Sequence, residues 1–344
     1  MSRKLEKLDF DFLLRYLDKN VESLENSVIA ISGASGFVGS WLVESLIKLD
    51  SEFRLGLNLV LLTRNTQNLN YVLEGKEGTN IEICEVDIVN SVPNIPDFTH
   101  AIHAASPTTS KGTLESDVTR VNREGLKNLI KAKRDKRNLA RVINCSSGAV
   151  YGRQYLTNES LNQRSKLIFP STIRNFEDEY MKAKIDSESL VEEYTSLGFI
   201  LGANLRLFAF YGPLLPLDGK YAIGNFMHSA SRGDTILVRS SGESVRTYQY
   251  ASHMAAQILY VLASRSTGNL NIGSSFAKPV WWWAKLVGEM FGSEVKITKE
   301  IDETPTYYVP EIDDELPAIE EDSEIRERLF REWHTWIRQQ EEPK

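Results

Sequence analysis

Val28-Ile29-Ala30-Ile31-Ser32-Gly33-Ala34-Ser35-Gly36-Phe37-Val38-Gly39 is the stretch whose reading decides the fold. Its first five residues are a short apolar run, as a strand buried on both faces requires. Glycines at 33, 36 and 39 follow at once, and a segment with helical character runs from about Phe37 to Leu49. A strand, a glycine-rich turn and a helix in that order suit a phosphate. Glycine permits the tight turn and the close approach of the backbone, and the anion then rests on the helix N-terminus. Gly33, Ser35, Gly36, Phe37, Val38 and Gly39 are therefore the expected contacts of a dinucleotide. A turn required only for packing is the competing reading.

Working outward, apolar runs at Asn58–Leu62, Ile81–Val86, Ala101–Ala104, Arg141–Cys145 and Ala203–Phe208 read as further strands. Helical stretches fall between them at Ser116–Lys133, with Val121, Leu126, Leu129 and Ile130 as the apolar side, and at Glu177–Leu197. Strands alternating with helices predict an α/β fold, a Rossmann-type doubly wound parallel sheet. Before it, Leu5, Leu8, Phe12 and Tyr16 recur at helical spacing, with Leu13 and Leu17 beside them, so residues 3–19 read as an amphipathic helix. That helix is expected to pack on the body of the protein or on a partner subunit. Beyond Gly212-Pro213 the pattern loosens. The expected organisation is a helical extension over 1–25, a dinucleotide-binding domain over 26–210, and a smaller mixed substrate-binding region over 211–344, interleaved with the second.

Composition narrows the function. The 344 residues carry a formal charge of −7, which offers no basic surface for nucleic acid. No run approaches the roughly 20 apolar residues of a membrane helix, and the N-terminus is too charged to read as a signal peptide. Cytoplasmic residence is the expectation. The acidic stretch from Glu300 to Glu324 reads as a solvated face or mobile segment. Cys84 and Cys145 sit in strand-like runs with no CxxC pair and no histidine nearby, so both are expected as buried reduced thiols, with no metal site.

A ribose-binding acid is expected at the end of the second strand, but Leu61-Leu62-Thr63-Arg64 has none. Arg64 can instead pair with a 2′-phosphate, since a guanidinium offers bidentate, permanently charged donors. The reading thus favours NADP(H) over NAD, with Arg64 as a plain surface residue the alternative. Asp87 and Ile88 follow the third strand and are placed to meet the adenine; His103-Ala104-Ala105-Ser106 follows the fourth and offers small residues for a dinucleotide to lie against. His103 itself reads as structural.

Tyr180 and Lys184 are four residues apart on a predicted helix, hence on one face. A phenol titrates near 10 (roughly) in water, and a neighbouring ammonium lowers that value toward useful acid/base work. Lys184 can also hold the nicotinamide ribose, and Ser147 can hydrogen-bond a substrate oxygen. A lone YxxxK is weak; after Ser146-Ser147 and a glycine-rich turn, in this order, the set becomes specific.

With those residues in place, the chain resembles the extended short-chain dehydrogenase/reductase family, in its nucleotide-sugar epimerase/dehydratase branch, from about Asn26 to about Phe291. The likeness is carried by the GxxGxxG turn, His103-Ala104-Ala105, Asn122, Ser-Ser-x-x-Val-Tyr-Gly, YxxxK, Arg206 before Tyr211-Gly212-Pro213, Asn225-Phe226 and Gly242-Glu243-Ser244-Val245-Arg246. The resemblance implies a nucleotide-diphosphate sugar substrate, with Asn225 and Arg246 along its diphosphate, Ser106 and Ser147 at the sugar, and Asn122 at the cofactor site. It also implies a homodimer. Family dehydratases and decarboxylases carry acids just after the active-site hydroxyl, where this chain has Gly148-Ala149. Hydride transfer at a sugar carbon is what remains, as an epimerase or 4-ketoreductase of surface-polysaccharide or deoxysugar biosynthesis. The rivals are a dehydratase or decarboxylase of the same family, and a non-catalytic NAD(P)-sensing protein. His253 stands where the family often has Asp. The Trp281-Trp282-Trp283 triple opens a predicted helix, with packing the default reading and stacking on the nucleotide base the alternative.

Overall fold

Seven parallel strands form the central sheet, in the order β7-β6-β5-β4-β1-β2-β3. They are β1 (Val28–Ser32), β2 (Asn58–Thr63), β3 (Asn80–Glu85), β4 (His100–His103), β5 (Ala140–Ser147), β6 (Ile200–Leu207) and β7 (Gly268–Ile272). The computed structural model describes residues 10–17, 20–69, 78–107, 115–154, 160–161, 165, 167, 175–217, 219, 221–299, 304–316, 319 and 322–341. The expected strands appear, β1 with the ends expected and the others with ends shifted by at most three residues. β7 was not expected: it comes from beyond residue 211 and pairs with β6 from Gly268↔Ala203 to Ile272↔Leu207.

The helices used below are α1 (Asp11–Leu17), α2 (Phe37–Phe53), α3 (115–131), α4 (Phe176–Ser196), α5 (Ala222–Ser231), α6 (Ala251–Ala263), α7 (Val280–Phe291) and α8 (Ser323–Glu341). α1 keeps Leu13 and Leu17 fully buried, and Phe12 lies 4.1 Å from the His253 ring of α6, so this helix packs on the body of the protein. Leu5 and Leu8 of the expected helix lie outside the described residues. α7 does open on the tryptophans. Trp283 is fully buried, edge-on to Tyr248, and its indole donates to the Arg246 carbonyl at 3.2 Å.

α3 is not a plain α-helix. Between Glu115–Thr119 and Leu126–Lys131 it widens into a π-turn over Arg120–Gly125, a distortion that gathers at functional sites. His103 anchors that turn. The Val121 carbonyl only accepts, so the ring Nε2 donates to it (3.1 Å), and Nδ1 accepts from the Ser32 hydroxyl (2.7 Å). Both nitrogens serve structure, as the sequence suggested. Burial pushes this imidazole down to about 3, with the Lys184 charge adding to the effect.

Two expectations are corrected here. Cys84 is only half-buried, because β3 is the edge strand of the sheet and most of its residues face outward; Cys145 on central β5 is buried, and both thiols are free. Within the acidic stretch, the described residues 304–316 are also more ordered than its charge implies. Tyr307–Tyr308 forms a strand beside Val245–Thr247, Val309 and Leu316 are buried, and Asp313 accepts from the Asn271 backbone at 2.9 Å. Apolar residues interleaved with the acids supply the burial that composition alone hides. No described helix is long and apolar enough to cross a membrane.

Candidate active site

The chain runs outward through β1, β2 and β3, then returns to the other side of β1 to lay down β4, β5, β6 and β7. The carboxyl ends of β1 and β4 therefore flank the switch point, where folds of this kind bind ligands. Gly33 leaves β1 with a positive φ of 74°, and a Cβ there would stand 2.5 Å from the Ala105 nitrogen. Only glycine lets the two turns approach this closely. Gly36 caps α2, and a Cβ on Gly39 would collide with the Gly33 carbonyl. Phe37 and Val38 fill the first turn of α2 and pack on the core. First-turn N–H groups have no partner within a helix, so this cradle fits a pyrophosphate.

A cleft of about 870 Å³ opens over the turn. Of the expected cofactor residues, Gly33, Ser35, Gly36, Arg64, Asp87, Ile88, Ala104 and Ala105 line it, with Ser106 at the substrate end. Arg64 is exposed at its rim. Asp87 is committed to its own turn, accepting from the Val89 N–H (3.1 Å) and the Asn90 amide (2.8 Å). Arg120, from the π-turn, also lines the cleft and was not foreseen. Asn122 is fully buried; its amide donates to the Val118 carbonyl (2.8 Å), while Oδ1 has no hydrogen-bond partner among the described residues.

Ser147, Tyr180 and Lys184 meet beside this cleft. Ser147 is the last residue of β5, and its hydroxyl accepts from the Ala149 N–H at 3.1 Å. Tyr180 and Lys184 sit one turn apart on α4, whose start is fixed by the Asn175 side chain accepting from the Asp178 N–H (3.0 Å). Tyr180 is hydrogen-bonded to Ser147 and Ser106, which ties the cluster to the cleft wall. The Lys184 ammonium lies 5.6 Å from the Tyr180 ring centroid and donates to the Cys145 carbonyl at 2.7 Å.

Charge behaves differently from the expectation. Burial pushes the Tyr180 phenol up to about 12, outweighing the bonds from Ser147 and Ser106 that pull it down. Burial also pushes Lys184 down to about 8. In this state Tyr180 is a neutral donor, and the lysine, spent on a carbonyl, does not lower it. Beneath the site, Arg206 grips Glu188 through two bonds of 3.0 and 2.8 Å, each side chain 5% exposed. Ser146 donates to Glu188 at 2.6 Å, and Arg206 reaches the Tyr151 hydroxyl at 3.0 Å. Glu188 stands one turn beyond Lys184, so this network braces α4 against β5 and β6.

The two expected diphosphate residues are not equally placed. Arg246 joins the cluster through Tyr308: its guanidinium lies 5.8 Å from that ring and donates to the Thr306 carbonyl (3.2 Å) and hydroxyl (2.8 Å). Asn225, on α5, donates to the Gly219 carbonyl at 2.8 Å. Among the described residues, no hydrogen bond links it to the others. Tyr308 was missed altogether. Its hydroxyl bonds Ser147, and a tyrosine in an acid-rich segment, more than a hundred residues downstream, gives no local signal of that.

Comparison with known proteins agrees with this fold. The NAD dependent epimerase/dehydratase family matches residues 29–273. UDP-glucuronic acid decarboxylase 1 of Xenopus tropicalis is 24% identical over 91% of this chain and 72% of its own. Among solved structures, UDP-N-acetylglucosamine 4-epimerase from Methanobrevibacter ruminantium, in complex with UDP-N-acetylmuramic acid, superposes with a TM-score of 0.75. It is 20% identical and covers 92% of this chain and 99% of its own. UDP-glucuronic acid 4-epimerase from Bacillus cereus, in complex with UDP-glucuronic acid and NAD, gives 0.71 at 18% identity, covering 91% and 99%.

Proposed function

We propose, because this chain belongs to the NAD-dependent epimerase/dehydratase family, that it reworks a nucleotide-diphosphate sugar by reversible hydride transfer at a sugar carbon, as an epimerase or 4-ketoreductase. The observation that carries the proposal is the meeting of Ser147, Tyr180 and Lys184 beside the Gly33 cleft. Gly33, Ser35, Gly36, Ala104 and Ala105 would hold the dinucleotide, which supplies the hydride acceptor or donor when bound. Tyr180 would take the proton from the reacting sugar hydroxyl and return it, with Ser147 holding that oxygen and Lys184 the ribose of the cofactor. Asn225 and Arg246 would meet the diphosphate.

Arg64 favours NADP(H), while the Bacillus cereus structure holds NAD. The setting proposed is a cytoplasmic homodimer. A second reading, decarboxylation of a nucleotide uronic acid, is favoured by the UDP-glucuronic acid decarboxylases among the relatives. Gly148-Ala149 argues against it, since neither residue can hold or donate a proton.

One experiment separates these readings. The protein is incubated with NAD(H) or NADP(H) and, in turn, UDP-glucuronic acid, UDP-N-acetylglucosamine, UDP-glucose and dTDP-glucose, and products, cofactor oxidation and CO2 are followed. A new epimer with no net cofactor change marks an epimerase, stoichiometric reductant loss a reductase, and CO2 a decarboxylase. Tyr180→Phe should cut whichever turnover is found by ~10²–10⁴-fold, as loss of acid/base assistance does. Undiminished turnover in that variant would refute the assignment of Tyr180.

A further inference from the structure

Apart from the central sheet, the short strands Ala277–Pro279, Val245–Thr247 and Tyr307–Tyr308 form a smaller one. In its register Lys278 stands directly opposite Arg246, and Arg246 opposite Tyr308. Residues opposite one another in a sheet project from the same face. Lys278, Arg246 and Tyr308 therefore form one row, about 10 Å long at the usual strand spacing. One end of the row is fixed at the reaction centre. A Cβ on Gly148, the residue after Ser147, would stand 2.5 Å from the Tyr308 hydroxyl. The Arg246 guanidinium comes next, 5.8 Å from the Tyr308 ring. Lys278 lies farthest out.

The outer two residues are both cations, and both are half-buried. Like charges placed directly opposite in a sheet destabilise it. No acid relieves them. Arg246 donates only to the Val245 and Thr306 carbonyls and the Thr306 hydroxyl. The Lys278 ammonium lies 5.2 Å from the Phe276 ring centroid and 5.5 Å from that of Trp282. Ring faces attract a cation but carry no net charge. Among the described residues neither cation has a carboxylate partner, although the chain carries a formal charge of −7. A bound anion would remove that repulsion.

We propose that Lys278 is a second phosphate-binding residue of the substrate site. Arg246 takes the phosphate next to the sugar, and Lys278 takes the phosphate next to the nucleoside. The order follows from the row, since the sugar must reach Ser147 at the Tyr308 end. The assignment to a nucleotide rests on the function proposed above; the unrelieved repulsion does not.

Two measurements test this. The first needs no ligand. Lys278→Gln removes a charge that repels Arg246, so urea unfolding should show equal or higher stability in that variant. A clear loss would make Lys278 a structural residue held by its rings, and would overturn the proposal. The second is calorimetric titration with UDP and UMP, or the matching pair of another base, with NAD or NADP present to fill the Gly33 cleft. UMP retains only the phosphate next to the nucleoside. Lys278→Gln should weaken both ligands by roughly tenfold or more, the size of one charge-assisted contact, and Lys278→Arg should restore most of it. Arg246→Ala should weaken UDP more than UMP. If Lys278→Gln weakens UDP and spares UMP, the order is wrong; if it weakens neither, Lys278 is outside the site. Either result overturns the proposal. If UDP, dTDP, GDP and CDP all fail to bind the unaltered protein, the functional reading fails. Inorganic pyrophosphate then tests the two cations alone. Binding that Lys278→Gln abolishes upholds their role, and equal binding, or none, overturns it.

Discussion

His103 should make this protein sensitive to mild acid, and the size of the effect can be worked out. Its imidazole is 1% exposed, donates to the Val121 carbonyl, accepts from Ser32, and is pushed down to about 3. In an unfolded chain the same group titrates near 6.5 (roughly). Above pH ~6.5 it is neutral in both states and contributes no pH dependence. Between those two values only the unfolded chain binds the proton, so stability falls as pH falls through that window. At pH 5 the unfolded histidine lies about 1.5 units below its pKa, worth about 2 kcal/mol against folding. His103→Gln keeps an amide able to donate to Val121 and cannot titrate. The unfolding free energy, from urea midpoints at pH 7.5 and 5, should therefore drop about 2 kcal/mol more in the unaltered protein than in the variant. His100 is also pushed down, to about 4, but it is present in both proteins and cancels. Parallel pH dependences would refute the reasoning, since they would mean that the buried ring gains its proton without cost.

Two further outcomes follow from the site. Glu188→Gln strands the Arg206 guanidinium in a buried setting and should cost about 3–5 kcal/mol of stability, the usual cost of breaking a buried pair from one side; replacing both residues by apolar ones should recover most of it, read by urea unfolding. Arg64→Ala should weaken NADP(H) far more than NAD(H) in calorimetric titrations, because only the former has a phosphate for the guanidinium to hold, and equal losses would return Arg64 to a surface role.

What could be read from the sequence was whatever is written locally. The β1 turn announces itself because its glycines, its apolar strand and its helix are contiguous, and Tyr180 and Lys184 share a face because four residues make about one turn. β7 escaped notice because Gly268-Asn269-Leu270-Asn271-Ile272 is short and half polar. Of its asparagines, Asn271 is buried, accepting from Tyr151, and half-buried Asn269 accepts from Asn204, so hydrogen bonds rather than apolarity hold them in place. The π-turn left no mark either, since one extra residue in a helical turn barely disturbs an apolar periodicity. Tyr308 and the rise of the Tyr180 phenol were out of reach for one common reason. Both depend on what surrounds Ser147 in space, and that environment is drawn from segments far apart in the chain.

The late arrival of β7 bears on how such an enzyme can change over generations. The strand that completes the cofactor sheet is made after the segment carrying Arg246, and α6, which packs beside α2, lies between the two. A recombination crossover near residue 211 would therefore import not only a new sugar pocket but also a foreign border for the sheet under the dinucleotide. Substrate preference in this architecture is not a detachable cassette. It must drift by point substitutions within a frame that both ligands share, or be exchanged at two crossovers that leave the 268–272 strand behind.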